Sequence, residues 1–545
     1  MTGKPWEASY PPSLRGYEVD PATLDGNLAD LIGAGAARFG DAPAFTLVLP
    51  DGAKGTISHA RLDALSDRFA GFLAGDLALV PGDVLAIQLP NSLHYPIAVL
   101  GAWKAGLIVT NVNPLYTSRE VAIQLADSGA KALVCHELFL APVREIAATE
   151  ARALIVASFA DTFHAVAAVG EDGHQEVRFD DALARGVPLS PRRRHPVALY
   201  QYTGGTTGRS KGAVLTHANQ CAILHMARDY MQAFEVTLEP GDAIITALPF
   251  YHIFAFNFNF LLMLWSGVHN LLIPNPRPLT NLKPAFDAFR VDWITGVDTL
   301  YAGLLAEPWF GDRPRRLKLA VSGGASLRAD TAARWRERGG VIVEGYGMTE
   351  TSCFVSFNPP GPAARDGTVG LLMPGCQARV VDENGDDVPP GHPGELLVRG
   401  PHIIERYLNR PEETATAIVD GWLHTGDIVI MDQDGYLRIV DRKKDLILVS
   451  GFNVYPNEIE DVLTSHPDVL EAAVIGVPDA VTGEAVRAFV STTRAAVTGE
   501  ELGAFCRERL TAYKVPKQFE MRDQLPKSPV GKILRAQLRM PSGAT

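Results

Sequence analysis

The chain has 545 residues, of which 47% are hydrophobic and 21% charged, with 62 acidic against 50 basic side chains and a net charge of −12. That mix excludes a mainly disordered chain, and its acidic balance excludes broad nucleic-acid binding. The length predicts about three to five compact units with a core that needs no disulfide or structural metal. The cysteines, Cys135, Cys221, Cys353, Cys376 and Cys506, are scattered with no C-x-x-C pair, which points to a reducing compartment. The polar, proline-rich first twenty residues carry no secretory h-region, so a cytoplasmic protein is expected.

In chain order, Ser58 is placed to cap a helix with Leu62, Leu65, Phe69 and Phe72 on one face. A strand at 84–89, a helix around 97–105, a strand at 107–112, a helix from Ser118 to before Gly129 and a strand at 132–135 follow. Single helices between strands indicate a parallel sheet covered on both faces. The most apolar run, Ile253 to Ile273, is long enough for a membrane span, but Asn257, Asn259, Ser266, His269 and Asn270 interrupt it. It reads as a buried helix plus a strand, with peripheral membrane contact left open. The α/β pattern continues to about residue 345 through DWITGVD, LKLAVSGG and VIVEGYG. From about 370 to 440, short β runs alternate with turn signals and predict a small antiparallel barrel or sheet. A separate α+β unit follows, with a helix from Pro456, strands around 472–477 and EAVRAFV, and a helix whose Thr498 and Glu501 form a capping-box pattern.

Four segments carry chemistry. Thr203-Gly204-Gly205-Thr206-Thr207-Gly208-Arg209-Ser210-Lys211 packs small residues, hydroxyls and a cation into one loop. Backbone N–H groups there can approach an anion closely, which suits phosphate. It lies between two strands and lacks a Ser or Thr after Lys211, so it is not a Walker loop. In EGYGMTETS, Tyr346 offers a flat ring for a purine, and Thr349 and Glu350 offer oxygen to Mg²⁺. Asp427 follows a Thr-Gly turn and can accept from a vicinal diol such as ribose, while Arg442 to Lys444 is a basic cluster at a domain boundary. The tail from Arg507 is locally basic and includes Lys532 in PKSPVGKILR.

QYTGGTTGRSKGAVLTHAN, LPFYHIFAF, EGYGMTE, the stretch Asp420 to Lys444 and VDRKKDLILVSGFNVYPNEIE together resemble the adenylate-forming superfamily of acyl-CoA synthetases, luciferases and adenylation domains. The similarity extends along nearly the whole chain and is strongest to bacterial long-chain fatty-acyl-CoA synthetases. It implies an N-terminal domain, 1–440, of two α/β subdomains and a β-barrel-like part at about 370–440, and a mobile C-terminal lid, 441–545, hinged at Lys444.

The resemblance also implies roles. Thr203, Gly204, Gly205, Thr206, Thr207, Gly208 and Lys211 would hold the phosphates of ATP, with Thr206 and Glu350 on Mg²⁺. Gly323, Gly324, Ala325, Glu344, Gly345, Tyr346, Gly347 and Thr349 would surround the nucleotide, and Asp427 and Arg442 would bind its ribose. Lys532 would reach the reacting carboxylate and α-phosphate. His252, Phe254, Phe256, Gly296, Val297 and Gly323 would line the acyl pocket, and Gly451, Phe452 and Asn453 the coenzyme A channel. A tryptophan gate of relatives does not transfer residue by residue; Phe254, Phe256 or Phe258 would serve in its place, or the tunnel is ungated. The implied activity is ATP-dependent ligation of a long-chain fatty acid to coenzyme A. The same chemistry on a medium-chain or aryl acid is the nearest rival, and a non-catalytic nucleotide and fatty-acid scaffold is the rival of another class. Homodimers occur among relatives, and the sequence leaves that open.

Overall fold

Buried on every residue, the strand Val84–Gln88 and the helix His94–Lys104 mark the centre of a sheet covered on both faces. The computed structural model describes residues 4–146, 151, 153–161, 175–203, 210–450, 452–479, 481–494, 497–528 and 531–539. The first sheet runs Gln175–Arg178, Ala153–Ala157, Ala130–His136, Val84–Gln88, Ile108–Asn111, Val197–Thr203, Lys211–Thr216. Every neighbour pair is parallel except the last. Local signals set its helices: Ser58 caps His59–Gly75, and Thr117 with Glu120 closes a full capping box ahead of Ser118–Ser128, which ends on left-handed Gly129.

The second sheet has nine strands in the order Leu371–Leu372, Ser356–Phe357, Ile342–Tyr346, Leu319–Gly323, Trp293–Gly296, Ala243–Thr246, His269–Leu272, Pro43–Val48, Lys54–Ser58. Its centre is parallel and its edges are antiparallel hairpins. The hairpin Pro43–Ser58 thus joins a sheet whose adjacent strand begins at His269.

The apolar run resolves into a π-helix, Ala255–Met263, and the strand His269–Leu272. Its asparagines are stitches. Asn259 Nδ2 donates to Thr246 Oγ1 (3.1 Å), Thr295 Oγ1 donates to Asn259 Oδ1 (2.9 Å), and Thr246 Oγ1 donates to Asn270 Oδ1 (2.9 Å). Buried amides must find partners, and these tie the helix to the sheet beneath it. Among the described residues no helix is long and apolar enough to cross a membrane.

The segment expected to be barrel-like is an antiparallel sheet of five strands: Gln377–Val381, Pro393–Arg399, Ile418–Val419, Trp422–Met431 and Leu437–Arg442. The last sheet, from Ile447–Val449 to Gln518–Met521, packs with the helices Pro456–Thr464 and Gly499–Arg507 around its own core of Ile459, Leu463, Val474 and Leu502. Thr498 accepts from Glu501 N–H (3.2 Å), but the Glu501 carboxylate turns to His466 (3.7 Å), so half of the expected capping box forms.

Candidate active site

The glycine loop closes a hairpin. Thr203 stands opposite Lys211, and Ser210 Oγ donates to Thr203 O (2.6 Å). Gly204, Gly205, Thr206, Thr207 and Gly208 lie outside the described residues. Outside the loop the hairpin is anchored by Tyr202, whose hydroxyl donates to Asp127 Oδ2 (2.7 Å), with Arg410 on the same carboxylate (3.1 Å).

The strand Ile342–Tyr346 lies beside Leu319–Gly323, which sets Gly345 against Gly323. The chain then doubles back. A Cβ at Gly347 would sit 1.5 Å from the Cys353 carbonyl oxygen, so only glycine fits, and Ser352 and Cys353 complete the reversal at φ of 50° and 96°. A single 3₁₀ turn, Thr349–Thr351, points Glu350 inward. Its carboxylate is buried and accepts from Tyr407 Oη (2.7 Å), while its carbonyl accepts from Ile404 N–H (2.9 Å). Burial pushes the Glu350 carboxyl up from its ordinary range.

Tyr346 Oη donates to Asp427 Oδ2 (2.5 Å), and Arg442 Nε lies 3.1 Å from Asp427 Oδ1. Burial, then the neighbouring Asp427 charge, raises the Tyr346 hydroxyl far above its usual range. Arg442 is held fully cationic, first by Asp427. An aromatic ring, a carboxylate and a cation thus meet in one place. Glu344, midway along this strand, accepts from Leu327 N–H (3.1 Å), and burial raises its carboxyl to about 8.

The segment before His252 is clamped from the first sheet. Asn91 accepts from Phe250 N–H (2.9 Å) and donates to Leu248 O (2.9 Å), Tyr95 Oη donates to Phe250 O (3.0 Å), and Gln201 Nε2 donates to Tyr251 O (2.9 Å). His252 Nδ1 accepts a long bond from Phe254 N–H (3.4 Å), which assigns the ring proton to Nε2. Burial, then Lys532, lowers its pKa to about 4, so the ring is neutral at pH 7.

The three phenylalanines part company. A Cβ on Gly323 would lie 3.1 Å from the Phe254 ring, and Phe254 stacks edge-on with Phe258 (6.1 Å), which meets Phe354 (6.0 Å). Phe256 points the other way, against Trp103 (6.0 Å) and Phe260 (5.5 Å) in the core. Residues two apart lie on opposite sides of a helix, so Phe256 does not join Phe254 beside Gly323. At Gly296 a Cβ would meet Leu300 (2.6 Å) and Tyr301 (3.2 Å). Val297 lies against the tail loop, 3.2 Å from where a Cβ of Gly531 would be.

That loop carries Lys532. The side chain keeps open surface yet is ringed by protein, and its pKa falls to about 8 through burial first, then the positive charge of Arg442, with Arg535 and Lys444 adding and Asp427 opposing. Three residues on, Arg535 fastens the tail. It meets Asp441 (3.3 Å), Asp445 (3.5 Å) and Glu460 (2.6 Å), and donates to Asn457. Lys444 lies exposed in the turn Lys443–Asp445. Phe452 is 56% exposed and stacks on Tyr513 (4.9 Å), with Asn453 exposed beside it; Gly451 lies outside the described residues.

Among the described residues no cluster of three or more His, Cys, Asp or Glu forms a metal cage. One buried carboxylate, Glu350, linked through Tyr407 to Lys211, fits Mg²⁺, which binds one or two protein oxygens and completes its shell with waters and substrate phosphates. Sequence reasoning did not single out Tyr407, nor the Asn91, Tyr95 and Gln201 clamp. Neither has a local motif; each acts on residues far along the chain.

Two family models match the chain: AMP-binding enzyme over residues 33–408, and AMP-binding enzyme C-terminal domain over 458–532. The chain is 43% identical to the long-chain-fatty-acid–CoA ligase of Yersinia pestis and 42% identical to that of Escherichia coli O6:H1, covering 98% of both chains in each case. Among solved structures it is similar to ATP-bound MatB from Rhodopseudomonas palustris, with a TM-score of 0.82 and 31% identity, over 94% of this chain and 98% of that one.

Proposed function

Because the chain belongs to the AMP-binding enzyme family, we propose that it is an AMP-forming ligase that joins a long-chain fatty acid to coenzyme A through an acyl-adenylate. End-to-end similarity to long-chain-fatty-acid–CoA ligases supports the substrate class. One observation supports the chemistry: Lys532 lies within electrostatic reach of Asp427, Arg442 and His252. In this reading a single cation serves both the nucleotide and the carboxylate.

A carboxylate is a poor acyl donor because oxide would have to leave. Attack of its oxygen on the α-phosphorus expels pyrophosphate and makes AMP the leaving group. Both reactants are anions, and Lys211 and Lys532 would offset their repulsion. Thr206 and Glu350 would hold Mg²⁺, which supplies charge neutralisation on the phosphates. In this reading the Nε2–H of neutral His252 would donate to the carboxylate rather than act as a base. The coenzyme A thiol then attacks the acyl carbon and AMP departs.

In this reading residues 1–440 bind ATP and acid, residues 441–545 swing about Lys444, and Gly451, Phe452 and Asn453 line the thiol's path once they replace Lys532. The Phe452 ring, 56% exposed and stacked on Tyr513, leaves surface for a ligand and so supports that exchange. Gly323, Phe254 and Val297 are the strongest acyl-wall candidates. Peripheral contact with the inner membrane face and a homodimer belong to the same proposal and are tested by vesicle flotation and light scattering.

The test is acyl-CoA formation across C6 to C18 acids and benzoate, with AMP and pyrophosphate measured together. Preference for long chains with one AMP per acyl-CoA is expected. Preference for C6 or benzoate would move the substrate class, and absence of acid-dependent pyrophosphate would leave a non-catalytic scaffold.

A further inference from the structure

Residues 404–408 pair with two separate parts of the site. Leu408 N–H donates to Gly212 O (2.8 Å) and Val214 N–H donates to Arg406 O (3.2 Å), so the segment runs along the strand that follows the glycine loop. At its other end Ile404 N–H donates to Glu350 O (2.9 Å). Tyr407 lies between these ends, 8% exposed, with its own N–H donating to Thr414 Oγ1 (3.0 Å).

Its side chain is used twice. The hydroxyl donates to Glu350 Oε1 (2.7 Å), and Lys211 Nζ sits 5.5 Å from the ring centroid, within cation–π range. Glu350 and Lys211 therefore share one neighbour of six aromatic carbons and one hydroxyl. Among the described residues neither forms an ion pair. A direct Lys–Glu pair would occupy the lone pairs wanted by a divalent cation and the N–H donors wanted by a phosphate.

We propose that Tyr407 is a positioning residue that holds Glu350 and Lys211 apart. The hydroxyl aims the carboxylate, and the ring seats the ammonium. The inference rests on reading Glu350 as the Mg²⁺ ligand. A hydrogen-bond partner behind a metal carboxylate typically contributes about 10–100-fold to metal affinity. The two uses are separable, because Tyr407→Phe removes the hydroxyl and keeps the ring, while Tyr407→Leu removes both.

The experiment measures binding, not turnover: Mn²⁺ affinity by electron paramagnetic resonance in the presence of ATP, and ATP affinity by calorimetry with metal chelated. Tyr407→Phe should weaken Mn²⁺ about tenfold or more and leave metal-free ATP binding as in the parent. Tyr407→Leu should weaken both. Parent-like Mn²⁺ binding in Tyr407→Phe, or equal ATP affinities in the two variants, would overturn the proposal. Glu350→Gln separates the two levels. If it loses Mn²⁺ while Tyr407→Phe does not, the positioning role alone fails. If it binds Mn²⁺ like the parent, Glu350 is not the ligand and both readings fall.

Discussion

Arg442 Nε lies 3.1 Å from Asp427 Oδ1, and the two residues face each other across an antiparallel strand pair. Backbone register, not loop flexibility, sets the distance, so the ion pair is pre-formed. Tyr346 holds the other Asp427 oxygen, which leaves the carboxylate no freedom to rotate. Under the proposed function a ribose diol would meet an acceptor already oriented, at small entropic cost.

Asp427→Asn keeps an acceptor for Tyr346 but leaves Arg442 unpaired. The expected result is a KM for ATP raised about tenfold or more, from a lost charge-assisted bond of about 1.5–3 kcal/mol. The acyl-acid KM should move little. Initial rates against each substrate decide it, and equal rises in both would place Asp427 in the fold rather than the nucleotide site.

Lys532 must be protonated to offset the two anions, and its pKa in the free protein is about 8. Its charged fraction falls as pH rises through that value. The kcat/KM of adenylation, which reports the free enzyme, should decline above about pH 8. In Lys532→Arg, which stays charged, any remaining activity should lack that limb. An identical limb in both would assign it to another group.

Phe254 and Phe256 should respond differently to the same change. Phe254→Ala opens space beside Gly323 and should shift the chain-length profile with little loss of stability. Phe256→Ala leaves a core cavity against Trp103 and should cost about 3–5 kcal/mol of stability with an unaltered profile. Thermal melts and a chain-length series measure both, and a profile shift confined to Phe256→Ala would reverse the assignment.

Glu344 carries a carboxyl raised to about 8, chiefly by burial. The folded state then binds a proton that the unfolded chain has lost, so stability falls as pH rises between about 4.5 and 8. Glu344→Gln keeps the acceptor for Leu327 and removes the titration. Its melting temperature relative to the parent should climb by roughly 2–4 °C from pH 5 to pH 8. A constant difference across that range would contradict a buried neutral acid.

The parts legible in the sequence were those with local causes. The hairpin around Thr203 and Lys211 follows from β runs on either side of a glycine loop, and Thr117 with Glu120 announces its helix. The pairing of Phe45 with Asn270 has no local cause, because it joins residues from distant parts of the chain. Tyr407 escaped for the same reason: its partner Glu350 is 57 positions earlier, and nothing in E-R-Y-L-N marks the contact. The run I-F-A-F-N-F reads as a buried helix, but the sequence does not show which rings share a side; the π-helix turns Phe254 and Phe256 to opposite ones.

The acyl-adenylate is tested most directly with a fatty acid labelled by ¹⁸O in both carboxylate oxygens. If the carboxylate attacks the α-phosphorus and AMP leaves on thiol attack, the AMP released carries one ¹⁸O in its phosphate and the thioester keeps the other. Label in pyrophosphate, or unlabelled AMP alongside full acyl-CoA formation, would contradict the account.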